Sequence, residues 1–303
     1  MVLVGPEDRL PLDVNPPDRA PYLYDMQRTS LNGRLLRPDE LPVISLLRGV
    51  YYGDGLFESM RIHRGQINFW RYHRERLLRG MGYLGLDFPT EWSVDQLPEL
   101  ILDTAGDWPE ARVRLTVLRS PGGLYTPASD DVQLLAEATP MEGNLYPLNE
   151  QGWRIGYYPE PMPLAGSTLS NLKTCNALPY ILAARFRKKQ DLDEVLLTNQ
   201  HGRIVEGTAW NLFCRKAKKL YTPPLSEGPL DGVMRRVVME IAPTLGWEVI
   251  EQPLSPTFLA EAESIYLTNA VRGVQWLEWL DGRRYANNGA EELRKAIMMN
   301  AQC

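Results

Sequence analysis

The sequence predicts an α+β protein of two domains, with mainly antiparallel sheets and flanking helices. Three observations carry this. Apolar runs of strand length recur, joined by tight-turn signals such as Asn32-Gly33, His63-Arg64-Gly65 and Gln200-His201-Gly202. A few runs, among them those around Leu77 and Val237, have helical spacing instead. A polar, proline-bearing stretch from Thr139 to Glu150 interrupts both patterns. The expected division is an extended N-terminal arm over 1–22, a smaller domain over 23–140, a linker over 141–150 and a larger domain over 151–303. At 303 residues the chain is long enough to bury two cores.

In chain order, Pro6, Pro11, Pro16, Pro17 and Pro21 lie among charges with no sustained period, as in a loose or extended arm. A hairpin follows at Asn32-Gly33, then an apolar run from Leu41 to Leu47. After the turn Tyr52-Gly53-Asp54-Gly55 a strand runs from Phe57 to Ile62. Ile67 to Trp70 leads into a helix lined by Leu77, Leu78 and Met81, with His73 and Arg76 sharing a polar neighbourhood. The strand from Ala111 to Arg119 puts Arg112, Arg114 and Thr116 on one face, and another strand covers Asp131 to Ala138.

The second domain opens with a strand from Trp153 to Tyr158. Leu178, Ile181 and Leu182 have the spacing of an apolar helix face, and Pro179 is tolerable there only in the first turn. Glu194 to Thr198 and Ile204-Val205 are two strands about a turn, the second closed by Glu206 beside Gly207, where a backbone can approach a ligand. Gly232 precedes a helix with Val233, Val237, Ile241 and Leu245 down one side; the amides of Gly232, Val233 and Met234 offer a seat for phosphate, or simply a capped helix end. Strands at Glu248–Gln252, Ser264–Thr268 and Val274–Leu280, a short helix from Pro256 and a helix from Ala290 to Met299 complete the chain.

Lys173 and Glu206 carry chemistry only when taken together. A lysine amine in a partly dry pocket can form a Schiff base with an aldehyde cofactor, and a carboxylate can keep the cofactor's pyridine nitrogen protonated. Pyridoxal phosphate needs that pair, although a lone lysine is most often a solvated charge and a glutamate at a strand end is most often exposed.

The segments SNLKTCNAL, GRIVEGTAWNLF, LDGVMRR and YGDGLFESMR together resemble the class IV aminotransferases, the fold-type IV pyridoxal phosphate enzymes, from about Arg48 to about Glu278. The resemblance lies nearest the D-amino acid transaminases and aminodeoxychorismate lyases. It implies Lys173 as the Schiff-base lysine, Glu206 as partner of the pyridine nitrogen, and Arg76, in HRERL, as a contact of the cofactor phosphate. It further implies phosphate contacts at Gly232, Val233 and Met234 and at the turn holding Asn269 and Ala270. Tyr52, Ser59, Arg114 and Arg48 fall at substrate-side positions, with Arg48 equally open to a structural salt bridge. The implied cofactor is pyridoxal 5'-phosphate, held between the domains of a homodimer.

Within the family the signals divide. Leu124 stands where lyases and D-amino acid transaminases place a carboxylate-binding arginine, and Thr126 where the latter have histidine. Ser59, Asn269 and Met234 lean toward the lyases; Ala270 replaces a transaminase threonine. The expected activity is transfer of an amino group between an amino acid and a 2-oxo acid. The alternatives are an aminodeoxychorismate lyase forming 4-aminobenzoate and pyruvate, and a noncatalytic cofactor-binding protein.

Composition fits these readings. A formal net charge of -5 without a basic stripe argues against a nucleic-acid or anionic-membrane partner. Cys175, Cys214 and Cys303 have neither metal spacing nor a disulfide framework. With no signal sequence and no bilayer-length apolar run, a cytoplasmic protein is expected.

Overall fold

The structure is a computed structural model that describes residues 28–36, 47–88, 92–162 and 164–301. The arm expected over 1–22 and the apolar run over 41–46 lie outside the described residues.

The Asn32-Gly33 hairpin forms as its sequence dictates: β1 (Arg28–Leu31) pairs with β2 (Arg34–Leu36), and both turn residues take positive φ, 49° and 79°. A short helix, α1 (Leu47–Tyr52), leads to β3 (Gly55–His63) and β4 (Gln66–Ile67). Helices α2 (Trp70–Leu84) and α3 (Leu97–Ala105) then precede β5 (Glu110–Arg119) and β6 (Val132–Pro140). The six strands form one antiparallel sheet in the order β2-β1-β6-β5-β3-β4. Alternation sends Leu56, Met60 and Ile62 of β3 and Val113, Leu115 and Val117 of β5 into a core against Leu77 and Met81 of α2 and Leu97 and Ile101 of α3. Each such side chain contributes roughly 1.5–3 kcal/mol on burial. Gly85, at φ 61°, ends α2 in the left-handed conformation that glycine adopts without steric cost.

The second sheet begins at β7 (Trp153–Tyr157). Helices α4 (Thr168–Asn171) and α5 (Leu178–Lys189) follow, then β8 (Glu194–Thr198), β9 (Ile204–Gly207), β10 (Asn211–Lys216) and β11 (Lys219–Thr222). The rest is α6 (Val233–Ile241), β12 (Glu248–Glu251), α7 (Pro256–Ala260), β13 (Ser264–Asn269), β14 (Gly273–Leu280), β15 (Arg283–Arg284) and α8 (Ala290–Asn300). The order β12-β11-β10-β13-β14-β7-β8-β9 closes on itself where Glu206 of β9 pairs with Asn211 of β10, making a six-stranded barrel. Leu196, Ile204, Leu212, Ile265, Leu267 and Leu277 pack together in one core. The alternate residues Phe213, Tyr266 and Val274 pack instead with α6 and α8. The expected helical face from Val233 to Leu245 stops at Ile241, because Pro243 turns the chain into a 3-10 segment.

One expectation is reversed. Leu178, Ile181 and Leu182 face outward, 65%, 52% and 46% exposed, and Ala183 is the buried residue of α5. The helix meets the sheet through Ala183, Tyr180 and Phe186, so its inward stripe is the smaller and more aromatic one.

The first sheet ends at Pro140 and the second begins at Trp153, and on that observation we place the domain linker over 141–150. The segment before α5 joins the two sheets: Phe57 N–H donates to the Lys173 carbonyl and Cys175 N–H to the Gly55 carbonyl, both at 2.9 Å. Lys173 is thereby laid along the free edge of β3.

Candidate active site

The outer face of β3 and β5 carries Phe57, Ser59, Arg114 and Thr116, with Ser59 directly opposite Arg114 in register. Lys173 Nζ lies 4.4 Å from the Phe57 ring centroid and the Arg114 guanidinium carbon 3.6 Å from it. Arg114 Nε donates to Thr116 Oγ1 at 3.2 Å, and its terminal nitrogens make no hydrogen bond or ion pair among the described residues. Burial and the nearby charges of Arg76 and Arg114 push the Lys173 amine down to about 8, against the pull of Glu58 and Glu206. Roughly a tenth of the amine is therefore neutral and nucleophilic at pH 7, far more than for an ordinary lysine.

Glu206, 3% exposed, sits where the barrel closes. Its Oε1 accepts from the Tyr180 hydroxyl at 2.8 Å, and its Oε2 from Leu230 N–H at 3.0 Å and Asn211 Nδ2 at 3.3 Å. Burial pushes the carboxyl up to about 7, although the Tyr180 and Leu230 hydrogen bonds oppose this. Asn211 pairs in register with both Glu206 and Thr268, so the three form one row across β9, β10 and β13. Thr268 Oγ1 is buried there without a hydrogen-bond partner among the described residues.

Arg76 is placed by a cluster that spacing alone does not reveal. Glu58 points from the inner face of β3 toward α2. Its Oε1 accepts from Arg76 Nε at 2.8 Å, and its Oε2 from His73 Nδ1 at 2.7 Å and Arg76 Nη2 at 2.5 Å. His73 and Arg76 are 0% and 4% exposed, so the polar neighbourhood expected for them is an interior one. Arg76 Nη1 reaches across to the Asp231 carbonyl at 3.0 Å, beside the start of α6. Among the described residues no side chain caps α6; the Gly232 amide, expected to face a phosphate, donates instead to the Leu230 carbonyl at 2.8 Å, and the amides of Val233 and Met234 are the ones left for an acceptor. A Cβ at Gly232 would lie 1.8 Å from Asn211 Oδ1, so glycine alone fits this approach. Uncapped amides, a guanidinium and an orphaned hydroxyl are the donor set that suits a phosphate ester.

The remaining sequence-predicted residues divide. Asn269 Oδ1 accepts from the Val271 and Arg272 amides, at 3.1 and 2.8 Å, and its Nδ2 donates to Ala209 at 3.2 Å. Its side chain braces the turn, and the Ala270 carbonyl accepts from the Tyr146 hydroxyl at 3.2 Å. Arg48 is a brace as well. Its Nε and Nη2 donate to Asp54 Oδ2 at 2.9 and 2.8 Å, and its Nη1 to the carbonyls of Gly122 and Leu124 at 3.0 and 2.6 Å. Arg48 thus makes four hydrogen bonds with its five N–H groups and keeps no pair for a substrate, whereas Arg76 makes three and keeps one N–H on each terminal nitrogen, and Arg114 makes one among the described residues. Tyr52 ends α1 with its ring 5.6 Å from Tyr125 and 5.0 Å from the Arg48 guanidinium carbon. Sequence reasoning missed Glu58, Tyr180, Asn211 and Thr268. A histidine and an arginine three apart on one helix face, opposite a strand carboxylate, were the available signal for Glu58.

Comparison with known proteins agrees with this geometry. Residues 55–276 match the model of the family described as amino-transferase class IV. A putative branched-chain-amino-acid aminotransferase of Methanocaldococcus jannaschii is 28% identical over 274 residues, 88% of this chain and 92% of the relative. Among solved structures, the branched-chain aminotransferase of Thermoproteus uzoniensis with norvaline superposes with a TM-score of 0.79 at 25% identity, covering 90% of this chain and 95% of that one. The 4-amino-4-deoxychorismate lyase of Pseudomonas aeruginosa gives 0.77 at 25% identity, covering 91% and 100%. The family match spans both sheets, from the start of β3 to the middle of β14, and takes in Lys173, Glu206 and the start of α6; this chain belongs to the class IV amino-transferases.

Proposed function

We propose that this protein is a pyridoxal phosphate-dependent aminotransferase that moves an amino group between an amino acid and a 2-oxo acid. The observation that carries the reading is one lysine amine, at about 8, set among Arg76, Glu206 and Arg114. Bound at this site, pyridoxal phosphate supplies an aldehyde and a ring that withdraws electrons from the substrate carbon. Arg76, the first amides of α6 and the Thr268 hydroxyl hold the phosphate ester. Glu206 holds the proton of the ring nitrogen. Lys173 would hold the aldehyde carbon through its amine, and that amine, when free, would be the general base for the proton on the substrate carbon. Arg114, flattened on Phe57, offers its terminal nitrogens to the substrate carboxylate.

The test is addition of D- and L-amino acids, one at a time, to the loaded enzyme. Loss of its visible absorbance with formation of pyridoxamine phosphate and an oxo acid is expected for the true donor. Failure with every donor overturns the aminotransferase reading. The lyase alternative draws on Ser59 and Asn269, and pyruvate released from aminodeoxychorismate without an added oxo acid would favour it. Arg114→Gln is expected to raise KM for the donor about tenfold to a hundredfold, as loss of a charge-assisted hydrogen bond implies; an unchanged KM removes Arg114 from the substrate side.

The same reading includes a cytoplasmic homodimer. Val50, Tyr51, Leu124, Tyr125, Leu178 and Ile181 are 52–91% exposed, an apolar surface that a second copy would cover. Light scattering in solution is expected to give twice the chain mass, and a monomer rejects this. No helix among the described residues is long and apolar enough to cross a membrane.

A further inference from the structure

The three donors to Glu206 divide unequally between its oxygens. Oε2 takes two, from Leu230 N–H at 3.0 Å and Asn211 Nδ2 at 3.3 Å, whereas Oε1 takes one, from the Tyr180 hydroxyl at 2.8 Å. A carboxylate oxygen accepts about two hydrogen bonds. Oε2 is therefore filled by the fold, and Oε1 keeps one lone pair for a ligand. Tyr180 is itself held, packed on the cluster of Ala183, Val195 and Leu197.

We infer that Tyr180 is a positioning residue for the cofactor's ring nitrogen: its hydroxyl fixes the Glu206 carboxylate so that the open lone pair of Oε1 receives the ring N–H. This role rests on the function proposed above. The groups facing Glu206 are Lys173 from the segment before α5, Tyr180 from α5 and Arg235 from α6, with neutral Asn211 from β10 and the Leu230 amide. Burial is the largest influence on Glu206 and drives it toward the protonated form; the Tyr180 hydrogen bond is the foremost influence in the other direction. A protonated Glu206 cannot accept at both oxygens and cannot balance a ring cation. The tyrosine hydroxyl thus supports both the orientation and the charge that the ring nitrogen requires.

Tyr180→Phe removes the hydroxyl and keeps the packed ring. Carboxyl-13C glutamate labelling of cofactor-free protein, with Glu206→Gln identifying the resonance, reads the carboxyl directly. The Glu206 midpoint, about 7 in the parent, is expected to rise by about one pH unit in Tyr180→Phe, the shift equivalent to a tenfold change. With the cofactor added, Kd for pyridoxal phosphate is expected to weaken about tenfold, and the shift of a 15N-labelled ring to move toward the unprotonated form. An unmoved or lowered midpoint overturns the role, as does a raised midpoint with no change at the ring nitrogen. If the parent protein binds no pyridoxal phosphate, the proposed function falls and this role with it. If the parent binds it and Tyr180→Phe behaves identically, the role alone falls.

Discussion

Lys173→Ala is expected to lower turnover by about three orders of magnitude or more, since a positioned general base alone contributes 10²–10⁴-fold and the same amine also attaches the cofactor. The cofactor itself should still bind, because Arg76 and the α6 amides do not depend on the lysine. The two jobs therefore separate in one experiment. Borohydride reduction of the loaded parent enzyme is expected to leave the phosphopyridoxyl group covalently on the peptide containing Lys173, detected by mass, whereas the variant releases all of it on denaturation. In the parent, attachment should quicken as pH rises and level off above about 8, where the amine is uncharged. Burial and two neighbouring guanidinium groups lower the lysine, so Arg114→Gln should move that midpoint upward. Full turnover by Lys173→Ala ends the assignment of the site, and label on another lysine relocates it.

The sequence exposed the parts of this site that rest on local chemistry and hid the parts that rest on pairing. Lys173 before a helix, Glu206 at a strand end and Gly232 at a helix start are visible because each sits at a boundary that turn residues and apolar spacing announce. Glu58, His73 and Arg76 meet only because β3 and α2 pack together, and a strand glutamate between Phe57 and Ser59 has no local mark. Helix α5 shows the limit of periodicity. Its apolar stripe of Leu178, Ile181 and Leu182 satisfies the pattern of a buried face, yet the sheet takes the stripe with Tyr180 and Ala183. Amphipathic spacing cannot say whether a stripe faces its own core or another surface, so Tyr180 lay on the unregarded side. Arg48 and Arg114 were equivalent by position and differ in satisfaction: among the described residues one has every nitrogen engaged, the other only Nε. Composition and spacing carry no trace of that difference.

Glu58→Gln is expected to cost about 3–5 kcal/mol of stability at neutral pH, the range for breaking a buried ion pair by removing one partner. Glu58, His73 and Arg76 are 1%, 0% and 4% exposed, so a neutral amide would leave the Arg76 charge uncompensated inside the protein. Burial alone would raise the Glu58 carboxyl, but the charge of Arg76 and the hydrogen bonds from His73 and Arg76 outweigh it and hold it down at about 2, from an ordinary 4.5. The sign follows from linkage: between those values the unfolded chain binds the proton and the folded one does not. The stabilisation is therefore complete above about pH 4.5 and is lost as pH falls toward about 2. Urea unfolding across this range should show the parent and Glu58→Gln curves far apart at pH 5 and above and converging at the acid end, by roughly 3 kcal/mol. His73, pushed below its ordinary value chiefly by burial, adds an acid-side loss of the same sign that begins near the free imidazole range and precedes the convergence. Parallel curves down to pH 2 would mean that Glu58 does not hold its charge against burial. Because Arg76 reaches the start of α6 only while Glu58 holds its other nitrogens, the variant should also lose affinity for inorganic phosphate, a change that a purely global destabilisation would not produce under conditions where both proteins are folded.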